Sequence, residues 1–300
     1  MKSELDDYWL ALRRARDAGD ELGPIWDRFV EAAKKTVDKP PVRVSDVLDQ
    51  LRACQNGRDP AEVVILDHGC GSGFALLYLM ALGYTNVFGV DPNKQFSRNT
   101  WSRLLIEVFG IDEPRFSQYD GKSLPLPDQS VDFIFSNQVV DHITNDCWNS
   151  YFAEEARVAR AGACIFHEIP HRLVPYDSHT RTWLLHYLPR AVHRGIYRLI
   201  GYDPSVHWLR MPGNILRKIE HDIGPFEDIT VATFLARSDI EFFDGPRALR
   251  RIVYRACTTR GLKPIATAFL RRFMMLRLVV TKPQRAQPPG EGLAVVRPAS

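Results

Sequence analysis

The chain has 300 residues, 45% hydrophobic and 25% charged, with a formal net charge of +3. That is the make-up of a globular protein with room for one ordinary domain plus additions, and no apolar run approaches the ~18 residues of a membrane span. The five cysteines are scattered and odd in number, with no Cys-x-x-Cys pair, so they read as reduced thiols rather than a disulfide framework or a zinc site. The start of the chain, with Glu4, Asp6 and Asp7, has no signal-peptide pattern, which points to the cytoplasm.

Residues 1–57 carry helical patterns: Tyr8-Trp9-Leu10 with Leu12, then Ile25-Trp26 with Phe29-Val30, then Val44 to Leu51. The most informative stretch follows. Val63-Val64-Ile65-Leu66-Asp67 is an apolar run of strand length ending in an acid. It breaks into Gly69, Gly71 and Gly73 and continues as the amphipathic stretch Phe74 to Leu82, closed by Gly83. Strand, tight glycine turn and helix form a nucleotide-cofactor site of the doubly wound type, where glycine lets a ligand approach the main chain. A second strand, Val87-Phe88-Gly89-Val90, ends in Asp91, about 20 residues beyond the glycines, where such folds hold ribose hydroxyls.

The dinucleotide fingerprint Gly-x-Gly-x-x-Gly/Ala fails in both frames, because Phe74 and Leu76 stand where a small residue is required. The frame that fits is acid-x-Gly-x-Gly-x-Gly with the acid at Asp67. In this the chain resembles the class I S-adenosylmethionine (SAM) dependent methyltransferases of the type 11 kind. A carboxylate at Asp67 suits a cofactor with a positive ammonium and sulfonium and suits a pyrophosphate badly. The resemblance implies a Rossmann-like α/β fold, doubly wound around a seven-stranded sheet. It places Asp67, Gly69, Cys70, Gly71 and Gly73 at the cofactor, with Asp91 and Pro92 at the end of the second strand. His68 departs from the apolar residue usual at its position.

The similarity continues along the chain. After a helix around residues 93–109 and a strand at 115–119 comes Asp120-Gly121. Then Leu124-Pro125-Leu126-Pro127-Asp128-Gln129-Ser130-Val131-Asp132 leads into a fourth strand ending at Ser136-Asn137. By the match, Asp120 accepts from the adenine amine and Gly121 lies close to the ring. Asn137 is carried over as a cofactor residue, and Leu124 and Phe96 are candidates for packing on the adenine faces. Residues 154–158 and 161–166 are similar to the helix and fifth strand that follow.

His167-Glu168-Ile169-Pro170-His171 spells the zinc-protease pattern His-Glu-x-x-His, but that motif works only on a helix. Here it continues a strand and contains Pro170, so no metal is expected. His171, Glu168 and His142 all leave strand ends at the edge where such sheets bind ligands. They are the candidates for a general base on an acceptor hydroxyl.

Residues 171–225 read as a largely helical insert after strand five, with His179 and His186 seven apart on one face if the segment is helical. Pro170-His171-Arg172-Leu173, then His179 and Leu188-Pro189-Arg190, make this insert similar to that of methyltransferases associated with bacterial polysaccharide assembly, with His171 standing where their pattern has Asn. Ile229 to Leu235 reads as a strand and Leu276 to Thr281 as the last one. Between them, residues 245–285 hold eleven Lys and Arg and no acid. Two basic helices are expected there over 246–275, with the stripe Leu249, Ile252, Val253 and Ala256 packing on the sheet among Arg247, Arg250, Arg251 and Arg255.

The chain thus divides into an N-terminal helical cap (1–57), a methyltransferase domain (58–285) and a disordered tail (286–300). The expected activity is SAM-dependent methylation, on oxygen, of a small-molecule, glycan or lipid-linked acceptor, with peripheral contact to an anionic inner membrane face through 246–277. Two alternatives stay open: an RNA methyltransferase, and a non-catalytic SAM-binding or membrane adaptor protein. Against the first, Ser136-Asn137-Gln138-Val139 stands where enzymes acting on a base amine have Asp/Asn-Pro-Pro-Tyr/Phe.

Overall fold

A computed structural model describes residues 4–71, 73–92, 116–177, 180–202, 209–236 and 247–283. In chain order come α1 (Glu4–Ala18), α2 (Gly23–Lys35), α3 (Val42–Gln55), β1 (Ile65–His68), α4 (Phe74–Ala81), β2 (Val87–Asp91), β3 (Phe116–Gln118), β4 (Val131–Asn137), α5 (Trp148–Val158) and β5 (Ala159–Ile169). The hairpin β6 (Tyr176–Asp177) and β7 (Thr182–Trp183) follows, then α6 (Arg190–Leu199), α7 (Pro212–Asp222) and β8 (Phe226–Asp228). The last described elements are α8 (Thr230–Ala236), α9 (Arg247–Thr258), α10 (Lys263–Phe273) and β9 (Leu276–Thr281). The expected helix at 93–109, Phe96, His179 and the tail from 286 lie outside the described residues.

Among the described residues, seven strands form one sheet in the order β3-β2-β1-β4-β5-β9-β8, and β6 and β7 pair separately. The first five are parallel, and β9 runs antiparallel between β5 and β8. Strand order reverses between β1 and β4, the switch point at which open α/β sheets bind ligands beyond the strands' carboxyl ends.

Period-two alternation sends the strand residues to two separate cores. Ile65, Phe133, Phe135, Cys164 and Phe166 join α1 to α4 on one face. Leu66, Ile134, Ile165, Leu276 and Leu278 join α5 and α7 on the other. A register shift between Val131 and Phe133 lets Val131 serve the second core and Phe133 the first. Each such side chain, fully buried, contributes about 1.5–3 kcal/mol. The N-terminal helices share the first core: Trp9 and Phe29 meet the Phe74 ring edge-on at 6.1 Å each.

Three local expectations are corrected. Ile229–Leu235 is not a strand; β8 ends at Asp228, whose Oδ1 accepts the Thr230 N–H at 3.0 Å and starts α8. Thr230 and Phe234, one helical turn apart, supply its buried face, a spacing that the β-branched composition hid. Residues 180–186 do not share a helix, because Arg181 and Leu184 take positive φ (54° and 57°) on either side of β7. Finally, α9 packs Val253 and Cys257 on Phe234 and Leu270 of α8 and α10, not on the sheet, which leaves Ile252 exposed. Among the described residues, no helix is long and apolar enough to cross a membrane.

Candidate functional site

The glycine turn after β1 is a backbone cradle. Gly69 and Cys70 N–H both donate to Val90 O, at 2.8 and 3.0 Å, drawing the loop across the end of β2. Gly69, Gly71 and Gly73 have φ of 99°, 47° and 70°, and a Cβ at Gly69 would collide with the Val139 side chain of the neighbouring strand end. Asp91 Oδ2 accepts the Gly71 N–H at 3.1 Å, joining the second strand end to the loop.

Charge defines what this cradle takes. Asp67 is buried, and burial first, then the nearby Asp91, push its carboxyl well above the usual range. Burial, followed by Asp67 and Asp91, pushes the Cys70 thiol up in the same way. A cationic ligand group relieves this crowding, and a pyrophosphate worsens it. The donor set therefore fits the ammonium and sulfonium of SAM.

The next loop is held by its own backbone. Asp120 accepts from Ser123 and Lys122 N–H, at 2.8 Å each, and these two bonds hold its exposed carboxyl below the usual range. Gly121 has φ of 78°, and a Cβ there would lie 3.0 Å from Cys147 Sγ. The Pro92 carbonyl accepts from Gln118 Nε2 at 3.1 Å, tying β2 to β3. Leu124 is buried in the second core. The acids downstream are structural: Arg157 bonds Asp128, Glu154 and the carbonyls of Leu124 and Leu126, while Asp132 accepts from Val64 N–H and pairs with Arg58 and Arg160.

His68 owes its unusual presence to a buried cluster on the second face of the sheet. Its Nδ1 lies 2.8 Å from Glu155 Oε1 and its Nε2 2.8 Å from the Tyr119 hydroxyl, and its ring stacks on Tyr151 at 4.0 Å. Glu155 Oε2 meets His167 Nε2 at 3.2 Å, and His167 Nδ1 lies 3.2 Å from Ser136 Oγ. Burial alone would raise Glu155, but the two histidines outweigh it and pull the carboxyl down to about 2. Tyr119 is thereby fixed beside Asp120. The apolar position His68 replaces was the only hint of this in the sequence.

The other side of the candidate site lies at the ends of β4 and β5, where Asn137 pairs with Glu168 in register. Gln138, at φ 55°, donates its N–H to Glu168 O at 2.8 Å and its Nε2 to Glu168 Oε1 at 3.1 Å. Glu168 Oε2 meets Arg277 Nη2 at 2.8 Å, directly across the β5–β9 pair, and Arg277 Nε donates to Asp46 Oδ2 of α3 at 2.8 Å. Arg277 is fully buried, so this ionic chain ties the N-terminal helices to the turn after β4.

The three candidate bases are placed very differently. Glu168 is committed to Arg277 and Gln138. His171 is completely buried, with Nε2 2.8 Å from Met274 O and Nδ1 accepting the Leu173 N–H at 3.2 Å. Both ring nitrogens are used and burial drives its pKa down to about 4, so a structural role replaces the expected one. His142 sits in the 3₁₀ turn Val140–His142 with its side chain 40% exposed and Nε2 3.6 Å from the buried Asp141 Oδ2. Arg210, from the insert, staples this turn by donating to Val140 O and Ile143 O at 3.3 and 2.8 Å, and its guanidinium lies 3.9 Å from the Trp148 ring centroid. Sequence reasoning passed over Arg210, Arg277, Asp46 and Glu155; for Arg277 the signal was present, a cation inside an apolar strand. The His-Glu-x-x-His residues go to three separate sets of partners, and no cluster suited to a metal ion occurs among the described residues.

A family model described as a methyltransferase domain matches residues 66–166. That span begins in β1 and ends within β5, so it contains the glycine cradle, Asp120 and His142, while Glu168, Arg210 and Arg277 lie beyond it. No curated protein matches the chain with significance. Among solved structures it is similar to a geranyl diphosphate methyltransferase in complex with SAM (14% identity, 85% of this chain and 90% of that one, TM-score 0.46). It is also similar to a geranyl diphosphate C-methyltransferase from Streptomyces coelicolor A3(2) (12%, 85% and 85%, 0.47). A third is a SAM-dependent methyltransferase from Mesorhizobium loti (18%, 78% and 97%, 0.45).

Proposed function

We propose that this chain, a SAM-dependent methyltransferase through the domain at residues 66–166, methylates a hydroxyl of a small-molecule, glycan or lipid-linked acceptor, with His142 as the general base. The observation that carries this reading is the contrast among the three candidates. His142 alone of them has an imidazole open to solvent at the carboxyl end of β4, beside the cofactor cradle.

The cofactor, when bound, supplies an electrophilic methyl group for in-line displacement. The remaining work falls to the protein: holding the acceptor in line and removing its proton as the oxygen attacks. The Asp141 carboxylate, 3.6 Å from His142 Nε2, stabilises the imidazolium formed once the proton is taken. Arg210 keeps the turn carrying both residues in place, and burial outweighs the pull of Asp141 to bring its own pKa down to about 10. Asp67 and Asp91 would hold the cationic and ribose parts of the cofactor and Asp120 and Gly121 its adenine, with Asn137 as a further contact.

Transfer of a tritiated methyl group into cell extract, separated into lipid, glycan, RNA and small-molecule pools, tests this. Label is expected outside the RNA pool and is lost with His142→Ala. Label confined to RNA overturns the acceptor class, and full incorporation by His142→Ala overturns the base.

A further inference from the structure

Two stretches of the chain combine exposed apolar side chains with arginine and lack acids altogether. Residues 178–202 contain four arginines and no Asp or Glu, and residues 245–285 eleven Lys and Arg and again none. In a folded protein, large apolar side chains left in water in groups mark a contact surface. Here Trp183 is 54% exposed and Leu199 87% in the first stretch, with Ile265 at 72% in the second.

Helix periodicity organises both groups. On α6, Val192 and Leu199 are seven apart and share one exposed stripe, while Arg194 and Arg198 share another. The inward side of α6 is carried by Tyr197, whose ring is buried and meets His193 at 5.5 Å. On α10, Ile265 and Phe269 stack one turn apart on the exposed side, and Leu270 faces inward. Arg251 and Arg255 of α9 are likewise one turn apart and exposed, next to Ile252.

Both stretches belong to the same edge of the molecule. The first follows the carboxyl end of β5, and the second runs into the start of β9, which pairs with that end through Ile169 and Leu276. Met274, between α10 and β9, accepts from the His171 ring at 2.8 Å. Arg272 acts electrostatically on both His171 and Tyr187. This is the edge that carries the cofactor cradle and His142.

We infer that α6, the β6–β7 hairpin and the α9–α10 pair form a docking surface for an anionic phospholipid bilayer, which seats the acceptor edge against the membrane. Exposed apolar side chains enter the headgroup boundary, and the flanking arginines meet lipid phosphates. Charge selects this occupant. A second copy of the chain would bring one arginine-rich face against another. Nucleic acid would answer the arginines but leave the stripes of Val192 and Leu199, and of Ile265 and Phe269, unsatisfied.

Co-sedimentation of the full chain with phosphatidylglycerol-containing vesicles and with pure phosphatidylcholine vesicles, over a range of salt, tests the surface. The wild type is expected to bind the anionic vesicles and to lose binding steeply as salt rises. Arg251→Gln with Arg255→Gln should bind about thirty-fold more weakly. Leu199→Ser with Ile265→Ser, both at exposed positions, should lose at least about ten-fold, at high salt as well as low. Absence of binding to anionic vesicles, or equal binding by the wild type and both variants, overturns the proposal. So does a wild-type dimer in sedimentation velocity that the Leu199→Ser, Ile265→Ser variant dissociates. Vesicle binding is read without acceptor or methyl transfer, so its failure leaves the reaction assigned above untouched.

Discussion

On the β1–β3 side of the sheet edge, the contacts that shape the two loops span short stretches of chain. Gly71 reaches Asp91 across 20 residues, and Asp120 bonds amides two and three residues on. On the β4–β5 side they span most of the molecule: Arg210 to the turn at Val140 across 70 residues, Arg277 to Asp46 across 231. The cofactor half is a product of backbone conformation and two carboxylates. The proposed acceptor half is held by side-chain staples, half-buried from the insert and buried between the last strand and the N-terminal helices. A universal cofactor needs only the first kind of construction, whereas an acceptor site is shaped by whatever elements are draped over it.

The largest effect that would sharpen this contrast is on turnover. His142→Ala should lower it about 10²- to 10⁴-fold on a hydroxyl acceptor while SAM affinity by calorimetry stays at the wild-type value. A parallel loss of cofactor binding would merge the two halves and remove His142 from its role.

Next in size is the staple. Arg277→Met removes the cation shared by two buried carboxylates, Asp46 and Glu168, and should cost about 3–5 kcal/mol in urea denaturation. Arg277→Lys should recover part of it. A loss below about 1 kcal/mol would show that the N-terminal helices do not depend on this link.

Acid titration separates two further groups. His171, pushed down to about 4 by burial, stays neutral in the fold while the unfolded chain protonates near 6.5. Its contribution is complete above pH 6.5 and lost as pH falls towards 4, about 3 kcal/mol in all. Glu155, brought down to about 2 from 4.5 by its histidines against the opposing effect of burial, keeps its contribution until pH falls below 4.5 and then loses a similar amount towards 2. Urea midpoints against pH should show both limbs, with His171→Asn removing only the first. A single limb centred below pH 4.5 would contradict the placement of His171.

The fold was legible because alternation and helical periodicity are local, and strand, glycine turn and helix can be read without knowing what lies across the sheet. Asp67, the glycines, Asp91 and Asp120 came with that pattern. His142, Glu168 and His171 were found together at one edge, but nothing local told an open imidazole from one locked onto Met274 O, since that carbonyl lies 103 residues away. The same distance hid the partners of Arg277 and Arg210. The helix at 230–236 was missed because its β-branched residues satisfy two periodicities at once, and Asp228 decides between them.

The smallest effect bears on the cofactor half: Asp91→Ala should weaken SAM by roughly 2 kcal/mol, through lost ribose contacts and the freed Gly71 amide. The wild-type titration itself is the most direct test of the whole account. Calorimetry of the purified chain should show SAM and S-adenosylhomocysteine binding in the micromolar range, about −8 kcal/mol, with no heat from NAD. Binding of NAD with SAM silent would contradict it, because a pyrophosphate would then be sitting against Asp67 and Asp91.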